Sequence, residues 1–497
     1  MEIPGNTETA PTQGAWSAVE GRKAREFVSG RMGMRPETAA AHRTRARIIG
    51  KGAAMAMAAL SEEKDYKDLS KARRWFLLIL VSMGSSLIYG PIYLKMVFYD
   101  PLMQALNCTN EQLGLLVSLY GIAAVIFYFP SGIIADKFRV RNLSWIGYTG
   151  VAALTIVYMM LPSYNVLMGI FIGYAVFSIL IWWGTRYKLV RLICSEEEYS
   201  QKIGLSYGIY GAIGLVLSFV QTGIIAAFVD AGVAIQVVLG VCAALIGLCA
   251  ILSFVFIPKF KGEIKQSAGS AFSLRDVVVA LKNPGVWLAA LTMFFIYFVY
   301  IGATFTTPFM TACLAAPVVV VSIIGTIRSF GVSIISAPLF GLFTKYTKTA
   351  SKAIMIGILG AIACLLLLMF LPRGPEMIVV VAVVVCLLSF VMNGLYGIAS
   401  GQLADAHVPP QTFGAAVGVV SVIGLMPDAF IHTWFGAIID QQGVAAFDTI
   451  FMIMLGASVL VFVFAWLTLK VGKRNAEKLA ADGKAEIAER EAAESDK

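Results

Sequence analysis

The sequence predicts an all-α integral membrane protein: twelve transmembrane helices in two pseudo-symmetric six-helix bundles. Three observations carry this expectation. The chain has 497 residues, 58% hydrophobic and only 14% charged, whereas soluble globular chains carry roughly 25% charged residues, so most of its length belongs in lipid. Its apolar residues fall into twelve runs, each near the ~20 residues needed to cross the hydrocarbon. A short basic loop at 130–142, PSGIIADKFRVRN, is echoed later by APLFGLFTKYTKTASK at 337–352, where Gly341 answers Gly132 and Lys345 stands in the place of Asp136. A weak copy displaced by half the membrane region indicates two similar halves.

Taken in order, residues 1–70 are polar and lack an apolar run long enough for a signal peptide, so they read as a disordered extension. The predicted spans are 75–97, 113–135, 143–161, 165–185, 203–229 and 236–257 in a first bundle (71–257), then 286–307, 317–343, 353–371, 376–400, 413–439 and 449–470 in a second (285–470). The longest internal polar segment, 258–284, lies between them as a linker. A charged tail, 471–497, mixes Ala, Glu and Lys and reads as a solvated helix.

Charge sets the orientation. Arg73 and Arg74, the loops at 137–141, 186–202, 259–282 and 345–352, and the tail from Lys470 carry the basic residues; the opposite loops hold Arg373 as an exception. By the positive-inside rule both termini are cytoplasmic, in a plasma (inner) membrane. The net charge of +9 is explained by topology and not by nucleic-acid binding. Seven cysteines show neither CxxC nor metal-ligand spacing. Cys108 and Cys313 fall in outer loops at equivalent places, which leaves a disulfide between them open. No HExxH, no paired acids within one span and no phosphate-cradling loop occur, so the expectation is no enzyme, no cofactor and no metal.

Polar residues at helical spacing mark the faces that do not look into lipid. Span one carries Ser82, Ser86, Tyr89 and Tyr93; span four Tyr174, Ser178, Trp182 and Thr185; span seven Tyr297, Tyr300, Thr304 and Thr307; span ten Ser389, Asn393, Tyr396 and Ser400. In one helix such a stripe reflects hydroxyls bonding their own backbone or tyrosines at the interface. Four stripes at matching positions point instead to a shared polar cavity lined by Tyr89, Tyr93, Tyr174, Tyr297, Tyr300, Asn393 and Tyr396.

Two charges fall within spans. Arg328 lies near the middle of span eight and Asp428 near the middle of span eleven, with His432 one turn beyond it. Each would cost roughly 2.5 to 3.5 kcal/mol to insert alone. At ~4 Å and an effective dielectric near 20 their attraction is about 4 kcal/mol, sufficient to keep both. Gly325, on the face of Arg328, leaves room for the guanidinium. One reading is a static salt bridge. The other gives Arg328 to an anionic substrate group and proton coupling to Asp428 and His432. Lys95, near the outer end of span one, either attracts anions or snorkels.

The loop from Gly132 to Arg141, its echo, the span pattern and the central linker together resemble the major facilitator superfamily over residues 70–472. The family loop runs Gly, three residues, Asp, a basic residue, then Gly-Arg-Arg; Gly132, Asp136, Lys137 and Arg141 match, while Arg139 and Val140 depart. The resemblance implies that the first and fourth helices of each half line a central cavity. It also implies that Gly132, Asp136, Lys137 and Arg141 gate its cytoplasmic side, near Phe413. Within the superfamily, IRSFGVSIISAP and VPPQTFGAAVGVVSVIGLMPD are similar to nitrate/nitrite porter-like and organic anion/phosphate-ester symporter-like branches. In nitrate porters a span-eight arginine binds the anion, and Arg328 matches it. Their second arginine, in span two, has no counterpart before Lys137, which favours a larger carboxylate, sugar acid or phosphate ester. Span five, with Gly204, Gly208, Gly211 and Gly214, lacks the Gly-Pro signature of drug/proton antiporters.

The resemblance thus implies a monomeric secondary transporter of a small organic anion, working by alternating access in the bilayer, with protons as the candidate coupling ion. An exporter or antiporter of a neutral or drug-like solute, and a non-transporting sensor of the same fold, are the alternatives.

Overall fold

The computed structural model describes residues 63–264, 274–408 and 412–495. Most of the expected N-terminal extension therefore lies outside the described residues. Among the described residues the regular structure is helical apart from one short strand pairing. In the first half, α1 spans Lys71–Tyr89, α2 Tyr99–Leu106, α3 Asn110–Lys137, α4 Val140–Met159, α5 Tyr164–Leu192, α6 Glu196–Ala227 and α7 Ala231–Phe256. A short α8, Leu274–Lys282, precedes the second half. There α9 spans Pro284–Leu314, α10 Val318–Thr347, α11 Ala350–Phe370, α12 Pro375–Asp405, α13 Phe413–Leu425, α14 Ile431–Gln442 and α15 Ala446–Ser495.

Capping explains six of the starts. Ser70, Thr109, Ser195, Asp230 and Thr349 each accept a backbone N–H of the first turn, and Pro284 opens α9 where its missing N–H costs nothing. Among the described residues, nine stretches are long and apolar enough to cross a membrane; α1 and α4 fall outside that set, and the stretch Phe413–Glu477 contains the turn at Gly443. Side chains left exposed are largely apolar, including Ile126, Val216, Ile251, Phe370 and Val379, as a lipid-facing surface requires.

Three features depart from regular helices. The expected span 75–97 ends at Tyr89, because Pro91 has no N–H to continue the ladder, and the chain turns through Leu94–Met96 into α2. The expected span 413–439 breaks at Met426–Ala429, around Pro427. A tighter turn at Ala303–Phe305 interrupts α9, one turn before Pro308. Each break frees main-chain carbonyls for side-chain donors.

On the basic face, Glu63–Lys64 pairs in parallel with Lys259–Phe260. Arg139 clamps the same place, reaching Glu63 at 2.7 Å and the buried Glu263 at 3.1 Å. Glu263 also accepts the Val140 N–H at 3.2 Å. Arg141, expected at a gate, donates from Nε to the Ile257 carbonyl at 2.5 Å, because α4 begins at Val140 and turns its first side chains toward the end of α7. All seven cysteines are free, Cys108 and Cys313 included.

The sequence halves meet at two seams, α3 against α14 and α6 against α10.

Candidate functional site

A cavity of about 1900 Å³ opens between these seams. Its lining begins on the basic face at Gly132, Asp136, Lys137 and Ser400 and ends at Met96, Ala303 and Arg328, so it enters from one side and stops partway. Gly132, Gly204 and Gly208 look into open space there. Three of the four expected gate residues therefore stand at the mouth of an open cavity.

Tyr89, Tyr93, Tyr297, Tyr300, Asn393, Tyr396 and Arg328 all line it. Tyr297, Tyr300 and Tyr396 form one aromatic platform, with centroids 5.5 to 5.7 Å apart. Tyr174 is elsewhere: fully buried, its hydroxyl bonds Thr155 Oγ1 at 2.9 Å and its ring meets Phe171. The cause lies in α5, where residues Val176–Trp183 form a π-helix. The wider turn carries Tyr174, Ser178 and Trp182 into the helix packing and brings Trp183, Arg186 and Tyr187 to the cavity.

Arg328 and Asp428 form no ion pair with each other. The Arg328 guanidinium donates to two main-chain carbonyls, Met96 at 2.7 Å and Ala303 at 3.0 Å, both freed by the helix breaks. The Met96 carbonyl also accepts Thr307 Oγ1 at 3.1 Å. Asp428 Oδ2 accepts Tyr93 at 2.9 Å and Tyr297 at 3.2 Å, and Oδ1 meets His432 Nε2 at 3.0 Å. Bonds to an ionised group contribute ~1.5–3 kcal/mol each, so two or three of them offset a burial penalty of several kcal/mol per ion. Each charge is thus accommodated without the other.

Lys95 does not snorkel. It is 2% exposed, its Nζ has no hydrogen-bond partner, and it lies 5.1 Å from the centre of the Phe305 ring. The Gly90–Pro91 break is responsible, because it folds 94–96 inward.

The far end of the cavity is closed by the α3–α14 seam. A Cβ on Gly114 would collide with the His432 carbonyl oxygen, one on Gly121 would lie 2.6 Å from the Asp428 carbonyl, and one on Gly436 would collide with the Asn110 carbonyl oxygen. Ser118 Oγ accepts the Thr433 N–H at 3.3 Å. These backbones touch because a glycine stands on one side of each contact, Gly114 and Gly121 on α3 and Gly436 on α14.

Arg186 is the site residue that charge counting conceals. It reads as one more basic residue of a loop, yet it is 2% exposed and lines the cavity, its guanidinium 4.3 Å from the Tyr207 ring and 5.7 Å from Tyr210. The available signal is its company: Tyr187, Tyr207 and Tyr210 surround one arginine on two adjacent spans.

Residues 74–431 match the family model described as the Major Facilitator Superfamily. Inner membrane protein YqcE of Escherichia coli (strain K12) is 26% identical over 405 residues, covering 80% of this chain and 94% of that protein. Inner membrane protein YihN of the same strain is 26% identical over 426 residues, covering 82% and 99%. Among solved structures, a bacterial homologue of the human lysosomal transporter Spinster, inward-facing and unoccupied, matches with a TM-score of 0.65 at 14% identity, over 82% of this chain and 98% of that one. A mutant of the nucleoside transporter NupG matches with a TM-score of 0.65 at 16% identity, over 80% and 99%.

Proposed function

The chain belongs to the Major Facilitator Superfamily, and on that premise we propose that it is a secondary active transporter of a small organic anion, a carboxylate, sugar acid or phosphate ester. It works by alternating access in the inner membrane, as a monomer of twelve spans with bundles 71–257 and 285–470, both termini cytoplasmic. The basic face is then the cytoplasmic side, and the conformation described is open inward.

One observation carries the anion reading: two buried guanidinium groups, Arg186 and Arg328, line the same cavity, and neither is in an ion pair among the described residues. Arg328 shows how such a group serves transport. Its acceptors come from both halves, Met96 from the first and Ala303 from the second. Separating the halves at the outer side removes the Met96 carbonyl and leaves one edge of the guanidinium unmatched. A carboxylate or phosphate presents two oxygens in the geometry that this edge requires. Outward opening therefore exposes an anion site, and inward opening refills it with protein.

Asp428 and His432 supply the candidate proton-coupling pair. Tyr93 comes from the first half while Tyr297 and His432 come from the second, so the same separation removes one acidic hydrogen bond from Asp428. Water that enters with this separation gives a proton a route to the carboxylate.

Uptake into proteoliposomes tests the reading. Saturable accumulation of a radiolabelled organic anion, lost in Arg328→Gln, is the expected result. Accumulation of neutral solutes alone favours the exporter of neutral compounds, and binding without flux favours the sensor.

A further inference from the structure

We propose that Arg186 is the docking residue for the substrate anion in the inward-open cavity, and that Arg328 takes this role only when the outer side opens. The inference rests on the anion reading above and deepens it by dividing the work between two arginines.

In the conformation described, the two terminal nitrogens of Arg328 are each taken by a main-chain carbonyl. Both arginines leave Nε buried without a partner, but Arg186 differs at its terminal nitrogens. Among the described residues its one side-chain hydrogen bond, from Nη2 to Ser206 Oγ, is long at 3.4 Å. No carboxylate among the described residues pairs with it. Its plane is contacted by aromatic rings, Tyr207 at 4.3 Å, Tyr210 at 5.7 Å and Tyr187 at 5.8 Å. Ring faces stabilise a guanidinium but accept none of its in-plane hydrogen bonds. A buried cation with unused donors in one plane calls for a ligand with two acceptor oxygens and a negative charge.

The surroundings describe the rest of the ligand. Tyr187 and Tyr207 share a hydroxyl contact of 2.7 Å, which holds both beside the guanidinium. Tyr207 and Tyr210 line the same cavity as Tyr300 and Tyr396 of the opposite half. An anion on Arg186 therefore places its body against the Tyr297, Tyr300 and Tyr396 platform. Stacked tyrosine faces suit a hydroxylated carbon skeleton or a planar ring. The ligand class is a carboxylate or phosphate monoester with such a body.

The test is thermal unfolding of the purified full chain with gluconate, glucose 6-phosphate, inorganic phosphate or glucose, in wild type, Arg186→Gln, Arg186→Lys and Arg328→Gln. The expected result is stabilisation of wild type and Arg328→Gln by an organic anion, none in Arg186→Gln, and an apparent affinity about tenfold weaker in Arg186→Lys, since lysine lacks the bidentate edge. If Arg186→Gln does not fold, Arg186→Lys against Arg328→Gln decides. Undiminished stabilisation of the Arg186 variants, with loss in Arg328→Gln, overturns this inference and keeps the anion reading. Stabilisation by glucose alone, or by none of the compounds, overturns both.

Discussion

The carboxylate of Asp440 holds Asn110 from the other half of the chain. It accepts the Asn110 N–H at 3.1 Å and side-chain amide at 2.7 Å, and the Glu111 N–H at 2.8 Å. These N–H groups open α3, where a negative charge meets the positive end of the helix dipole. One helix is thus capped by a residue of the other half, which must leave if the halves separate here as the proposed alternating access requires.

Removing the cap should loosen that side. Losing a charged N-terminal cap costs ~1 kcal/mol, with a range of about 0.5–2, so Asp440→Ala should raise the outward-open population several-fold. Ser118→Cys, buried in the seam, should then react faster with an impermeant maleimide than in the Asp440 background, both on a cysteine-free chain. Equal rates would show that the cap does not bear on the equilibrium.

Gly114 gives a harsher version. Because its missing Cβ is where the His432 carbonyl sits, Gly114→Val should block outer closure and stop transport, while the protein still folds in the outward-open form. Normal uptake by this variant would contradict the seam as the moving part.

Lys95 is a buried amine whose Nζ has no hydrogen-bond partner, and a buried polar group left unpaired costs stability. Lys95→Met should accordingly raise the unfolding temperature in detergent. A fall would mean that the ammonium makes a stabilising contact in the closed outer side.

Glu263 sets a pH dependence on the basic face. Burial raises its carboxyl above the usual 4.5, with the Val140 N–H and the Arg139 charge opposing the rise. A folded-state value above the unfolded one means that its contribution is full below 4.5 and declines as pH rises through the folded value. Wild type should thus lose more thermal stability across that interval than Glu263→Gln. Parallel curves would contradict the assignment.

Much of the architecture is legible because apolar runs and basic loops are physical requirements of a bilayer, independent of packing detail. Tyr89, Tyr297, Tyr300 and Tyr396 were readable because their helices keep regular periodicity up to them, whereas Tyr93 reaches the cavity from beyond the break after α1. Tyr174 was not, since a π-helix changes the residues per turn and no local residue type announces it. Arg328 and Asp428 share a depth in the sequence, but depth without azimuth does not make a pair. Each found main-chain or tyrosine partners that exist only because Pro91, Pro427 and the turn before Pro308 break the helices. Lys95 moved inward for the same reason. Arg186 was masked by a rule that assigns basic residues near helix ends to topology.

The most direct test is a reversible lock on the outer seam. Asn110→Cys with Asp440→Cys, on a cysteine-free chain in proteoliposomes, joins the two residues that the closed side brings together. Alternating access predicts that oxidant abolishes organic-anion uptake and that reductant restores it. Undiminished uptake with the cross-link complete would contradict the account.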